Sequence, residues 1–107
     1  MKYLKVEWVH SSPDYPTMLY SELDDERWER RRIDVYPDGR WGFADADEEV
    51  GGTGLGETPT PPLDEIATNP EFKPVEITHE EFERLWAARR GASIWTQWPR
   101  AEREEKP

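Results

Sequence analysis

The stretch Trp28–Ala44, WERRRIDVYPDGRWGFA, decides the fold. Tyr36-Pro37-Asp38-Gly39-Arg40 sets a Pro and an Asp-Gly pair between two alternating runs, and such punctuation reads as a β-hairpin turn. Gly39 takes the positive backbone angle that other residues resist. Before the turn, Ile33 and Val35 point inward while Arg30, Arg32 and Asp34 point outward; after it, Trp41 and Phe43 alternate with Gly42 and Ala44. Trp28 is out of phase with Ile33, which implies a bulge or a late strand start.

Working toward the N-terminus, Tyr3 to His10 alternates as well, with Leu4, Val6 and Trp8 on one face and Lys5 and Glu7 on the other. That is the pattern of a half-buried strand. After the break Ser11 to Pro16, the run Thr17 to Leu23 reads as a second strand, with Leu19 and Leu23 sharing a face. The expectation is an α+β fold: an antiparallel β-meander of three to four strands, one face wet, with a short helix and a C-terminal helix packed on one face.

Working toward the C-terminus, the chain turns acidic at Asp45, then Gly-rich over 51–57 and Pro-rich to Pro62, the composition of a loop. Thr60 and Pro61 open a short helix that carries Leu63 and Ile66 inward and stops at Asn69-Pro70. The final helix is the best specified. Thr78 with Glu81 forms a capping box, and Ile77 with Phe82 a hydrophobic staple. Phe82, Leu85 and Trp86 then form one apolar stripe, Arg89 and Arg90 suit the negative end of the helix dipole, and Gly91 ends the element. The domain proper is read as residues 1–90, with a tail over 91–107 that contains Trp95 and Trp98.

The 107 residues suffice for one core. A chain this short buries only about 60–65% of its unfolded surface, so its core depends on large side chains; six Trp, four Tyr and three Phe supply them. There is no Cys, so disulfides and thiolate metal sites are excluded and a reducing compartment suits the chain. The N-terminus lacks an apolar run of signal-peptide length and no stretch reaches membrane-spanning length, so the reading is a cytoplasmic protein without membrane contact. Its 24 acids against 14 bases give a net charge of -10, which repels nucleic acid and favours a basic protein partner. All of that net charge lies before Gly91, since the tail carries three acids and three bases.

Candidate chemistry is sparse. The Gly-rich run lacks the Lys of a phosphate-binding loop and leads into Pro rather than a helix. Asp45, Asp47 and Glu49 mimic the first alternate ligands of a calcium loop, but Val50 stands where Gly is needed and Gly56 where a bidentate Glu is needed. His10 and His79 have no second His or Cys at ligand spacing. His10 near Ser11 and Ser12 lacks any nucleophile elbow or oxyanion hole. No catalytic residue, metal site or cofactor is assigned. The expected contact residues are instead Glu22, Asp24, Asp25 and Glu26, with Asp45, Asp47, Glu48 and Glu49, around Trp28 and Trp41 as anchors. The plainer account of these acids is pairing within the sheet and solubility.

Four segments carry a resemblance: LYSELDDERWERRRIDVYPDGRWGFAD (19–45), GGTGLGE (51–57), LDEIATNPEFKPVEIT (63–78) and EEFERLWA (80–87). In this order they resemble a family of small bacterial proteins catalogued only as a domain of unknown function, family 6881. The resemblance brings no activity or residue role with it. Its members look like stand-alone cytoplasmic proteins, a format similar to that of immunity proteins in toxin systems. The expected function is therefore a binding module, monomeric or weakly dimeric, that neutralises or regulates a basic protein. The alternatives are a small-ligand binder or enzyme built on loop 51–57, and an accessory domain that self-associates through Trp95 and Trp98.

Overall fold

A computed structural model describes residues 1–92. The elements run β1 (Lys2–Trp8), β2 (Met18–Leu23), β3 (Glu29–Val35), β4 (Trp41–Ala44), β5 (Glu49–Val50), α1 (Leu63–Ile66), β6 (Phe72–Ile77) and α2 (His79–Ala92). The architecture is α+β. The sheet has six antiparallel strands in the order β5-β4-β3-β2-β1-β6, two or three more than the sequence suggests. β1 to β5 form a continuous meander, and β6 returns to pair with β1 on the far edge. Pro74 lies in this edge strand, where the N–H it lacks costs no ladder bond on a free side.

The central hairpin forms as its sequence dictates. Gly39 has φ 92°, its N–H donates to Tyr36 O at 2.8 Å, and Tyr36 N–H donates to Arg40 O at 2.9 Å. The phase mismatch at Trp28 also has its cause. Trp28 precedes β3, and the β2–β3 register shifts between Glu22 and Leu23.

α2 packs across one face. Tyr3, Glu22 and Arg31 stand opposite one another in adjacent strands, as do Tyr20, Ile33 and Phe43, so their side chains share a face. Phe82 of α2 is fully buried there, 5.3 Å from the Tyr3 ring, and Trp86 meets Phe43 edge-on at 5.9 Å. The helix starts as expected, with Glu81 N–H donating to Thr78 Oγ1 at 3.0 Å. It does not stop at Gly91. That residue lacks a positive φ, and α2 continues to Ala92.

The opposite face is covered too, which corrects the expectation of a wet face with both helices on the other side. Loop 51–62 and α1 lie over it, held in part by Asp34, which alternation assigned to solvent. Asp34 is 4% exposed and Thr53 2%, and Thr53 Oγ1 donates to Asp34 Oδ2 at 3.1 Å. Gly56 N–H donates to Glu29 Oε1 at 2.8 Å. The N-cap of α1 is Pro62, whose side chain has no group to cap with, and not the expected Thr60. Thr60 N–H donates to Arg27 O at 2.8 Å.

Candidate functional site

The meander gathers two acidic turns at one end of the sheet. β2 ends where β3 begins, with Leu23 opposite Glu29, and β4 ends beside the same part of β3, with Ala44 opposite Arg32. The loop 24–28 and the turn 45–48 therefore emerge on the same side. Both are tightly built. Asp24 Oδ1 accepts from the N–H groups of Glu26 and Trp28, each at 2.9 Å, and Asp24 N–H donates to Trp28 O at 3.0 Å. Asp45 Oδ1 accepts likewise from Asp47 N–H at 2.8 Å and Glu48 N–H at 3.0 Å. Both are turns in which a carboxylate stands in for a backbone carbonyl.

Arg27 fastens the first loop from below. It has φ 68°, a left-handed conformation for a residue with a side chain, which costs on the order of 1–2 kcal/mol. Its guanidinium offsets that cost by donating from Nε to Thr60 O at 2.7 Å and from a terminal nitrogen to Pro61 O at 2.8 Å. The loop is thereby stapled to the Pro-rich segment. Nothing in the sequence marks Arg27 for this part, since neither Gly nor Asn signals the left-handed position.

The expected contact residues divide. Glu22 is buried on the α2 face, where it accepts from Arg31 and from the Tyr3 hydroxyl at 3.0 Å. Arg31 holds its carboxyl below the usual carboxylate range against the opposing effect of burial. It is part of the core. Asp24 lies 3.7 Å from Arg30, Asp25 3.7 Å from the amino terminus, and Glu48 pairs with Arg90. Asp25 is nonetheless 99% exposed, so that pair is weak. Among the described residues, Glu26, Asp47 and Glu49 form no ion pair, and the Glu49 carboxylate sits beside Gly54. Trp28 is 38% exposed. Trp41 begins β4 opposite Val35, at the Gly39 end, and faces the α2 side with Phe43. The two anchors are therefore not brought together. The outward set is Asp25, Glu26, Asp47 and Trp28.

The remaining sequence candidates resolve into structural parts. His10 accepts from Ser12 N–H through Nδ1 at 3.0 Å and meets Pro16 O through Nε2 at 2.8 Å. Both ring nitrogens are committed to backbone, in the tautomer with its proton on Nε2. His79 lies 3.0 Å from Glu83 and 5.2 Å from the Tyr3 ring. Among the described residues, no three His, Asp or Glu side chains are grouped to hold a metal ion, and no helix is long and apolar enough to cross a membrane. Trp95 and Trp98 lie outside the described residues.

The fold and this surface define a small α+β domain in which a six-stranded antiparallel sheet presents a braced, aromatic and acidic hairpin loop. Within that class, the chain belongs to the family described as Domain of unknown function (DUF6881), which it matches over residues 2–91. No curated protein and no solved structure matches it significantly.

Proposed function

We propose that this protein is a binding module of the bacterial cytoplasm that docks on a basic protein, with Trp28 as the anchor and Asp25, Glu26 and Asp47 as charged contacts. The reading rests on one observation. An exposed Trp stands on a loop fixed by Asp24 within and by Arg27 beneath. Large aromatic side chains carry much of the binding free energy of protein interfaces, and a loop already rigid loses little entropy on docking. The net charge of -10 steers cationic partners inward and turns nucleic acid away. A toxin or regulator with a cationic, phosphate-binding surface is the partner class that suits both features. The protein then acts as a neutraliser, as a monomer or a weak homodimer.

The test compares the native protein with Trp28→Ala and with Asp25→Asn/Glu26→Gln, each immobilised and exposed to lysate of the native host. The expected result is a basic protein retained by the native surface, released by added salt and lost from both variants. Retention equal on all three surfaces, or indifferent to ionic strength, overturns the reading.

A further inference from the structure

On the face away from α2, loop 56–61 and the sheet enclose an open cleft of about 260 Å³. Its two ends differ in chemistry. Val6, Leu19, Ile66 and Phe72 form an apolar wall, drawn from β1, β2, α1 and β6. Ser21, Glu29 and Arg32 form the polar end, with Ser21 and Arg32 directly opposite in adjacent strands.

The polar end has unused capacity of both signs. Arg32 spends its Nε donor on Asp34 Oδ1 at 2.8 Å, and its nearest approach to Glu29 is 3.8 Å, too long for a hydrogen bond. Among the described residues its terminal nitrogens donate to nothing, and the side chain is 25% exposed. Glu29 accepts from Gly56 N–H at 2.8 Å through Oε1 and from the Ser21 hydroxyl at 2.5 Å through Oε2. Each oxygen retains a second lone pair.

Charge then selects the ligand. Arg32 is flanked by two carboxylates, Glu29 and Asp34, so the polar end repels a plain anion, while a plain cation leaves the free guanidinium nitrogens without an acceptor. A zwitterion satisfies both. We propose that the cleft binds a free α-amino acid with an aliphatic side chain, its carboxylate on Arg32, its ammonium on Glu29 and its side chain on the apolar wall. The volume of about 260 Å³ accommodates a ligand of this scale. The proposal is separate from the Trp28 surface, and each stands or falls on its own.

The test is NMR titration of the full chain with L-leucine, followed on the methyl groups of Val6, Leu19 and Ile66. Saturable shifts are expected, with affinity at least tenfold lower for L-leucine amide, which lacks the carboxylate, and for 4-methylpentanoate, which lacks the amine. Arg32→Gln is expected to abolish binding. Because Arg32 also holds Asp34, Ile66→Trp serves as a second variant that fills the cleft from the helix side, and it too should abolish the shifts. Absence of saturation up to about 10 mM overturns the proposal. So does binding of 4-methylpentanoate as tight as that of leucine, or binding that survives both variants.

Discussion

Arg31 grips Glu22 with two parallel hydrogen bonds, Nε to Oε1 at 2.8 Å and a terminal nitrogen to Oε2 at 2.7 Å. The same guanidinium lies 5.0 Å from the ring centroids of both Phe82 and Trp86 and reaches Glu83 at 2.5 Å. One side chain thus joins the sheet to α2 by charge and by stacking. Lys supplies neither the fork nor the flat face. Arg31→Met leaves the Glu22 carboxylate, 9% exposed, without its cation, and should cost about 3 kcal/mol in urea denaturation, with Arg31→Lys intermediate. Equal stability of the native protein and Arg31→Met would show that the grip contributes nothing net.

The same contacts set the acid limb of stability. Hydrogen bonds from Arg31 lower the pKa of both Glu22 and Glu83 below the usual value. A carboxylate depressed in the folded state binds protons more readily when unfolded, so its stabilisation is complete above the unfolded value near pH 4.5 and is lost as pH falls through the folded one. Stability should therefore drop on acidification below about pH 4.5. Glu22 should dominate, because Glu83 is 41% exposed and screened by solvent. Denaturation midpoints of Glu22→Gln against pH are expected to fall less steeply than those of the native protein, and parallel curves would refute the assignment.

Gly42 leaves room for the clasp between loop 51–62 and the sheet. A Cβ there would overlap Thr53 Oγ1 and lie 3.0 Å from Val50 O and 3.1 Å from Thr53 Cβ. Thr53 is 2% exposed and bonded to Asp34, so it cannot yield without breaking that bond and pushing against β5. Gly42→Ala is expected to destabilise by about 2 kcal/mol, through overpacking and an unsatisfied Asp34 oxygen. Thr53→Ala should cost about 1 kcal/mol, and in that background Gly42→Ala should cost little more. Thermal denaturation of the double-mutant cycle measures the coupling.

Much of the meander was legible because each strand names its own pleat. Asp38-Gly39, the alternation around Ile33 and Phe43, and the Thr78 cap are local signals with local consequences. The omissions share a different origin. β6 carries Pro74, which argues against a strand until the strand proves to be an edge. β5 is two residues long inside an acidic stretch. Alternation shows that Arg32 and Asp34 oppose Ile33, but not that a Gly- and Pro-rich loop covers them. Composition shows acids near Arg, but not that Glu22 is buried with Arg31 while Asp25 faces solvent. These are long-range facts, settled by the fold of the loop over the sheet and of α2 across it.

Arg27 sets two opposing effects against each other, and their balance can be measured. Its positive φ costs about 1–2 kcal/mol, which Gly would not incur. Its two bonds to Thr60 O and Pro61 O hold the Pro-rich segment and are charge-assisted, each contributing roughly 1.5 kcal/mol at this partly exposed position. Arg27→Gly recovers the strain but loses the staple, and should be destabilising by about 1–2 kcal/mol. Arg27→Ala loses the staple and keeps most of the strain, so it should be the worse of the two by about 1 kcal/mol. Both should speed hydrogen exchange at the Thr60 amide, whose acceptor is Arg27 O, and at the amides of Glu26 and Trp28 above it. Exchange unchanged at Trp28 in the two variants would mean that Asp24 alone fixes the loop, and that the staple beneath it serves only the covering segment.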